Sequence, residues 1–227
     1  MLTNQTLDII RYDVYRNSNV GIYINTNDEF VFVPNGFAKT KAKKLSAYLK
    51  NNFIFTSIAN TRLIGILMVV NNYGMLLPKT CLEEEIEYFK KNTDLNIHVL
   101  DSKYTALGNI IAVNDNGGII SPRISKQQIR CIQDSMGVEM IQIEIAGYHQ
   151  VGAMISANAH GGIINPDANE TDIQTISDIL KVNIEQTTVN GGVKFVSSGM
   201  LINNKSVIVG QLTNGSEMIT INRSFIR

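Results

Sequence analysis

The amino-acid sequence predicts a closed five-bladed α/β propeller, a ring of five similar units with fivefold pseudosymmetry. Three observations lead to this prediction. The four prolines stand at positions 34, 78, 122 and 166, each 44 residues after the one before, and Gly210 stands at the next step. Each of these positions closes a pair of short apolar runs separated by turn residues. Five such steps account for nearly all of the 227 residues, so the chain is expected to be one repeated supersecondary unit.

The two clearest copies of the repeat run from Tyr104 to Pro122 and from Tyr148 to Pro166. Between the signature Gly and the Pro, eight of fifteen aligned positions are identical in these two copies. An apolar residue precedes the signature Gly, and an Asn follows the Gly six residues later. In chain order the pairs are Gly21 and Asn27, Gly65 and Asn71, Gly108 and Asn114, Gly152 and Asn158, and Ser197 and Asn203, with Ser in place of Gly in the last copy.

Each repeat is predicted to begin with an alternating strand, which has one face in the core and one in water. A hairpin follows, and its turn is rich in Asn and Gly because tight turns need positive φ angles. The second hairpin strand is largely apolar, as expected for a strand buried on both faces. The first strands of the five repeats are predicted at 6–14, 52–57, 96–102, 138–145 and 181–189.

A helix is predicted to close each repeat and to bury one apolar stripe, such as Ala42, Leu45 and Leu49 in the first copy. In four repeats a capping residue and a partner three positions later mark the helix start. These pairs are Thr80 with Glu83, Ser125 with Gln128, Asp167 with Glu170, and Asn214 with Glu217. The resulting division is one domain, 1–227, of five repeats at approximately 1–51, 52–95, 96–137, 138–180 and 181–227.

Repeats of this kind either stack into an open solenoid or close into a ring. Open arrays need polar repeats at their ends. Here the hairpin strands of the end repeats, 30–34 and 207–210, are as apolar as those in the middle. We therefore expect the two end repeats to cover each other, which closes the ring.

Composition and charge exclude several classes of protein. With 20 basic and 20 acidic residues, the chain has no general attraction to nucleic acid. Five lysines (Lys39, Lys41, Lys43, Lys44 and Lys50) crowd the first helix, and four glutamates crowd the second. Two solvated helix faces are the favoured interpretation, and a phosphate-binding patch is the alternative. The longest apolar run, 63–70, is too short for a bilayer, and no signal peptide is expected, so a cytoplasmic location is predicted.

The residues give little support for catalysis. The histidines His98, His149 and His160 lack metal-ligand spacing, so no metal and no cofactor are expected. Cys81 and Cys131 fall in helical patterns, and no cysteine follows residue 131. A nucleophilic thiol needs a neighbouring base, which neither pattern suggests. The sequence therefore predicts a protein that is not an enzyme and takes no small-molecule substrate. The turn residue Asp115 is expected to serve turn formation.

The position after the signature Gly is the most informative one for function, because pseudosymmetry brings its five copies together near the axis. These residues combine apolar and small polar side chains, which suit a protein contact better than catalysis. Ordinary strand residues without a function are the alternative interpretation. The five are Ile22, Ile66, Asn109, Ala153 and Ser198.

Three stretches resemble the archaeal form of translation initiation factor 6, a family of ribosome anti-association factors: TALGN at 105–109 with NDNGGIISP after it, 151–166, and 197–210. The likeness extends over the whole chain. It implies a pentein-like five-bladed ring that binds the large ribosomal subunit on its intersubunit face, through ribosomal protein and possibly rRNA. It also implies that the small subunit is kept from joining, with a further role in large-subunit maturation. A monomer without membrane contact is expected.

With this resemblance, the predicted ribosome-binding residues are Asn109, Gly108, Ile22 and Ile66. Asn109 is expected to be the most sensitive, because its amide both donates and accepts hydrogen bonds. Two residues are expected at the edge of the contact. These are Arg62, placed on the strand face of Ile66 by alternation, and Met154, the neighbour of Ala153.

A rival class shares the ring architecture. The guanidino-modifying enzymes, such as arginine deiminases and amidinotransferases, use a nucleophilic Cys late in the chain, and none follows Cys131 here. This alternative is therefore disfavoured. The sequence departs from the resembling family at Ser197, where the other copies have Gly. The chain stops 17 residues after Gly210, without the polar tail of eukaryotic relatives, which suggests an archaeal source.

Overall fold

The computed structural model describes residues 8–225 and shows a closed five-bladed α/β propeller, which confirms the predicted fold class. Within this range, five three-stranded sheets surround a common axis. The strands are β1 (Asp8–Tyr12), β2 (Asn25–Thr26), β3 (Phe30–Pro34), β4 (Asn52–Thr56), β5 (Val69–Val70), β6 (Gly74–Pro78), β7 (Asn96–Leu100), β8 (Ile111–Val113), β9 (Gly118–Ile120), β10 (Met140–Gln142), β11 (Ile155–Ala157), β12 (Gly162–Ile164), β13 (Ile184–Gln186), β14 (Met200–Ile202) and β15 (Ser206–Gly210).

The helices are of two kinds: long helices on the outside, and single turns that precede each hairpin. The long helices have 10 or 11 residues. No helix in the described part of the chain is long and apolar enough to cross a membrane. The helices are α1 (Val20–Tyr23), α2 (Lys39–Leu49), α3 (Ile64–Leu67), α4 (Glu83–Asn92), α5 (Leu107–Ile110), α6 (Lys126–Met136), α7 (Val151–Met154), α8 (Glu170–Leu180) and α9 (Gly215–Ser224), with a 3₁₀ turn at Val196–Gly199.

Each sheet combines a hairpin with the first strand of the next sequence repeat. In the first sheet, β2 pairs antiparallel with β3, and β4 pairs parallel with β3 after the crossover through α2. Parallel neighbours need such a crossover, and the helix supplies it. The predicted order of strand, hairpin and helix within a repeat is observed, but the sheets span the boundaries between repeats. The orders are β2-β3-β4, β5-β6-β7, β8-β9-β10, β11-β12-β13 and β14-β15-β1.

The last sheet closes the ring. Strand β1 pairs parallel with β15, from Asp8 opposite Ser206 to Tyr12 opposite Gly210. The first and last repeats therefore share one sheet, which confirms the closed ring. Strand β1 ends at Tyr12, before the predicted end at Val14, and residues 6 and 7 lie outside the described range.

The second hairpin strand is buried along its length, as predicted. In β3, Val31 and Val33 pack against the core under α2, while Phe30 and Phe32 pack into the core of the next repeat. A strand with apolar residues on both faces therefore seals the boundary between two cores. The same pattern of complete burial holds for β6, β9, β12 and β15.

The signature Asn residues form a closed cycle of hydrogen bonds at one end of the axis. All five are buried, and each side-chain amide donates to the backbone carbonyl of the next signature Asn. The distances are 3.1 Å from Asn27 to Asn71, 3.3 Å from Asn71 to Asn114, 2.9 Å from Asn114 to Asn158, 2.9 Å from Asn158 to Asn203, and 3.2 Å from Asn203 to Asn27.

Two of the four predicted helix caps are confirmed. Ser125 with Gln128 and Asn214 with Glu217 form capping boxes. The cap predicted at Thr80 is wrong. The backbone N–H of Cys81 donates to the Pro78 carbonyl in a turn that leaves Thr80 outside the helix. Helix α4 starts instead after Leu82, whose backbone N–H donates to Glu85. The cap predicted at Asp167 is wrong for the same reason. Asn169 caps α8 instead, and its side-chain oxygen accepts a hydrogen bond from the backbone N–H of Asp172.

Candidate binding face on the ring axis

The single-turn helices and the 3₁₀ turn lie together at one end of the axis, and we call this end the helical-turn face. Each turn packs against the next, and the 3₁₀ turn packs back against α1. The signature glycines make this contact possible. A Cβ on Gly65 would lie 1.8 Å from the Gly21 carbonyl oxygen, and one on Gly108 would lie 2.1 Å from that of Gly65. The residues that follow the signature Gly were expected in a strand. This expectation is wrong, because they lie in the single-turn helices or in the 3₁₀ turn.

A depression of about 480 Å³ opens at the centre of the helical-turn face. The five positions that follow the signature Gly all line this depression, which confirms the predicted convergence. Each of the five residues is half-buried. The residues are Ile22, Ile66, Asn109, Ala153 and Ser198.

Two exposed aromatic rings also line the depression. Tyr148 is 46% exposed and Phe195 is 40% exposed, and their ring centroids lie 5.9 Å apart in an edge-to-face contact. Tyr148 lies three residues before the start of α7, and Phe195 lies directly before the 3₁₀ turn. These two residues were not predicted from the sequence, because an aromatic residue before a turn carries no periodic signal of exposure. Together they add apolar area of the kind that interface centres contain.

Asn109 is the third residue of the single-turn helix α5, directly after the signature Gly108. Its backbone N–H donates to the Ala106 carbonyl at 3.1 Å. Within residues 8–225, no hydrogen bond engages its side-chain amide, which lines the depression. Because an amide in a half-buried apolar setting gains from a partner, Asn109 is suited to a bound ligand's backbone or side chain.

Two predicted edge residues need correction. Met154 is fully buried in the core of the fourth repeat, so it offers no surface to a partner. Arg62 is exposed but lies in the turn before α3, so the strand alternation used to place it does not exist. Its guanidinium lies 5.4 Å from the centroid of the Tyr15 ring. Gly108, which was also predicted, has no side chain to offer a partner. Its role is to let α5 pack closely against α3.

The opposite mouth of the axis is narrow and polar. The amide of Asn72 donates to Asp28 at 2.8 Å and to Asp115 at 2.7 Å, and the amide of Asn204 donates to the same two carboxylates at 2.8 and 2.9 Å. Asp115 therefore links several repeats, beyond the turn formation that was predicted. Within the described range, no cluster of His, Cys, Asp or Glu is arranged to hold a metal ion.

Cys81 is buried next to Glu85, with its Sγ 3.3 Å from Oε2. Burial, together with the hydrogen bond and the charge of Glu85, raises the pKa of the Cys81 thiol to about 12. The thiol is therefore protonated at neutral pH, whereas a nucleophilic cysteine must be a thiolate. Cys131 is exposed on α6.

Two buried carboxylates hold turns of the ring. Glu85 accepts hydrogen bonds from the backbone N–H groups of Ala59 and Asn60, and Glu217 does the same for Gly191 and Gly192. Burial alone would raise the pKa of each carboxyl, but these hydrogen bonds and others outweigh burial. The pKa of each therefore lies below its usual value. The further donors are the N–H of Leu82 and the hydroxyl of Ser57 for Glu85, and the N–H of Asn214 and the hydroxyl of Thr188 for Glu217.

The structure is a closed α/β propeller with a depression on its axis, lined by the five positions that follow the signature Gly. A sequence profile of the eIF-6 family matches residues 9–224, so the chain belongs to this family. It is 59% identical over 219 residues to the translation initiation factor 6 of Cenarchaeum symbiosum (strain A), covering 96% of this chain and 99% of that protein. Identity to the factor of Nitrosopumilus maritimus (strain SCM1) is 59% over 220 residues, covering 97% and 100%. For Staphylothermus marinus it is 35% over 220 residues, covering 96% and 97%.

Among solved structures, the chain is similar to the C. jejuni agmatine deiminase, with 14% identity and a TM-score of 0.46, covering 74% of this chain and 64% of the enzyme. Similarity to DDAH from Pseudomonas aeruginosa has 12% identity and a TM-score of 0.39, covering 57% of this chain. The matched region spans half of that enzyme's length. At these identities and TM-scores the likeness transfers no activity to this chain.

Proposed function

We propose that the protein acts in translation initiation by binding the large ribosomal subunit through the helical-turn face, which keeps the small subunit from joining. Membership of the eIF-6 family, whose archaeal relatives are named translation initiation factor 6, supports the initiation role. The observation that carries the choice of face is the convergence of five signature positions on one depression. A role in maturation of the large subunit is part of the proposal.

The chemistry of the depression suits a protein segment. Ile22 and Ile66 supply apolar area on one side, and Tyr148 and Phe195 supply exposed rings on the other. The amide of Asn109 adds a polar group that can bond a main chain. Interface centres commonly combine such aromatic and aliphatic anchors with a few oriented hydrogen bonds. The helical-turn face therefore fits a ribosomal protein at its centre.

The proposed mechanism is steric and needs no catalysis. The buried Cys81 thiol, with its pKa near 12, is unsuited to nucleophilic attack, which argues against the guanidino-modifying alternative. Turnover of arginine or agmatine that disappeared on thiol alkylation would contradict this part of the proposal. We propose that the protein works as a monomer in the cytoplasm.

Co-sedimentation with separated archaeal ribosomal subunits tests the function. The wild-type protein is expected to pellet with the large subunit and to lower the yield of joined ribosomes when the small subunit is added. Equal binding to both subunits, or binding to the large subunit without an effect on joining, would refute the proposal.

A further inference from the structure

Asparagine is followed directly by glycine at four places in the chain. Asparagine is a chemically labile residue, and its side-chain amide is lost when the next backbone nitrogen attacks the side-chain carbon. Glycine favours this attack because it has no Cβ to shield its nitrogen. A fold slows the reaction wherever it holds the attacking nitrogen or the side-chain amide. The pairs are Asn35–Gly36, Asn116–Gly117, Asn190–Gly191 and Asn214–Gly215.

Three of these pairs are held by hydrogen bonds. The N–H of Gly117 donates to the side-chain oxygen of Asn114 at 2.9 Å, and the N–H of Gly191 donates to Glu217 at 3.0 Å. At the start of α9, the side-chain oxygen of Asn214 accepts from the N–H of Glu217 at 3.0 Å. In each case a hydrogen bond of a turn or of a helix cap must break before the attack can occur.

The pair Asn35–Gly36 lacks these restraints. Both residues are exposed, in the turn between β3 and α2. Within residues 8–225, the Gly36 N–H makes no hydrogen bond. The Asn35 side-chain amide approaches the Ser57 hydroxyl at 3.5 Å, which is the long limit for a hydrogen bond. Neither of the two reacting groups is therefore held in place.

The turn around Gly36 is also open. The Phe37 N–H donates to the Pro34 carbonyl at 2.9 Å, and Gly36 has a φ angle of 80°. These are the features of a type II turn, whose third residue needs a positive φ and is usually Gly. A Cβ built on Gly36 would have no other atom within 4 Å. The space around the attacking residue is therefore free of neighbouring groups.

We propose that Asn35 is a site of spontaneous deamidation in the folded protein, with a β-linked isoaspartate as a product. The Gly36 nitrogen loses its proton and bonds to Cγ of Asn35, and the side-chain nitrogen leaves as ammonia, which closes a succinimide ring. Water then opens the ring. Attack of water at Cγ gives aspartate, and attack at the backbone carbonyl carbon gives isoaspartate. No oxidation or reduction takes place, and the reaction is independent of the proposed function.

The products change the charge of the turn, and one of them changes its backbone. Each product has a carboxylate that is ionised at neutral pH, so the modified chain gains one negative charge. Isoaspartate also adds a carbon atom to the backbone. This atom lies between the Asn35 N–H, which donates to the Thr56 carbonyl at 2.8 Å, and Phe37, which is buried in the core under α2. The β-linked product therefore alters the path of the chain into α2.

Ageing of the full-length protein at mildly alkaline pH tests the site. Digestion at mildly acidic pH and peptide mass spectrometry then give the rate at each asparagine. The rate at Asn35 is expected to exceed the rates in the other three pairs by at least about fivefold, the factor for breaking one hydrogen bond. Asn92, which is exposed but not followed by Gly, controls for exposure alone and is expected to react slowly. A rate at Asn35 no higher than in the other pairs would overturn the proposal.

The same measurement in concentrated urea separates the effect of the fold from that of neighbouring residues. Unfolding removes the hydrogen bonds of the three held pairs, so their rates are expected to rise by at least about fivefold. The rate at Asn35 is expected to change less, because the folded turn does not protect it. A rise at Asn35 as large as in the held pairs would show that the fold protects this residue too, and would contradict the proposal.

The variant Asn35→Gln keeps the amide but requires a larger and less favourable ring. It is expected to lose the first acidic species that appears on ion-exchange chromatography, while the matched control Asn92→Gln keeps it. Persistence of this species in Asn35→Gln would place the reaction elsewhere and sink the proposal. An isoaspartyl-specific carboxyl methyltransferase with labelled S-adenosylmethionine is the probe for the β-linked product. It is expected to label the aged parent and not aged Asn35→Gln, and equal labelling would refute the isoaspartate at this site.

Discussion

The side-chain amide of Asn203 donates to the backbone carbonyl of Asn27 at 3.2 Å, and this bond joins the last repeat to the first. The same amide donates to the Leu49 carbonyl at 2.8 Å, while its oxygen accepts from the N–H groups of Lys205 and Ser206. One buried side chain therefore holds its own hairpin turn and closes the ring.

Asn203→Ala is expected to destabilise the fold by about 2–4 kcal/mol, because it leaves several buried backbone groups without partners. Urea unfolding followed by circular dichroism measures the change. Asn92→Ala, which removes an exposed intrahelical bond to Tyr88, is the control and is expected to cost under about 0.5 kcal/mol. Similar costs for the two variants would contradict the closing role of Asn203.

Gly65→Ala is expected to destabilise the ring by about 3 kcal/mol or to prevent folding, because the new Cβ would meet the Gly21 carbonyl oxygen at 1.8 Å. Backbone on both sides leaves no flexible group to move away. Gly215→Ala, where no atom lies within 4 Å of a new Cβ, is the control. Thermal unfolding of both variants measures the difference, and a Gly65→Ala protein as stable as the control would contradict the close packing of α1 and α3.

Glu85 makes stability depend on pH. Its folded pKa is lowered, so its stabilising contribution is fully present above the unfolded pKa of about 4.3 and is lost as the pH falls through the folded pKa. Glu85→Gln is therefore expected to cost about 1–3 kcal/mol at pH 7. The difference from the parent is expected to shrink towards strongly acidic pH.

Urea unfolding from pH 7 down to pH 3 measures this difference. Exposed Glu84 in the same helix turn provides the control, and Glu84→Gln is expected to show little change across the range. A cost for Glu85→Gln that stays constant with pH would mean that packing, and not the carboxylate charge, stabilises the turn.

Asn109→Ala is expected to weaken binding to the large subunit by about five- to a hundredfold, the loss that corresponds to one interfacial hydrogen bond. Its melting temperature should be nearly unchanged, because no hydrogen bond from another described residue engages the amide. Co-sedimentation at several protein concentrations gives the affinity. If Asn109→Ala binds as tightly as the parent while the outer-helix change Lys91→Glu releases the subunit, the contact lies on another face.

The repeat could be recognised from the sequence because its marks serve local needs. Gly, Asn and Pro recur where the chain turns or two repeats meet, and each residue type meets a backbone requirement that few others can meet. Gly65 and Asn71 illustrate this: one allows close approach, and the other holds a hairpin turn and reaches the next repeat. The period of 44 and the apolar end hairpins were therefore sufficient to predict the closed ring.

The residues around the signature Gly could not be placed correctly from the sequence. A single-turn helix such as α3 contains four residues, too few to show a helical period, so Ile66 was assigned to a strand and Arg62 was placed by alternation. Met154 shows the same limit, since it follows Ala153 in sequence but points into the core. Periodicity reports which side of a long element is buried, and these elements are short.

The sequence by itself determined the number of repeats, their closure into a ring and the five positions that converge on the axis, because these follow from a pattern repeated along the chain. The tertiary structure decided that Tyr148 and Phe195 stay exposed at the depression that Asn109 lines, and that Arg62 of the second repeat lies over the Tyr15 ring of the first. These contacts join residues from different repeats. Their geometry depends on how neighbouring turns pack, and no local pattern in the chain records that packing.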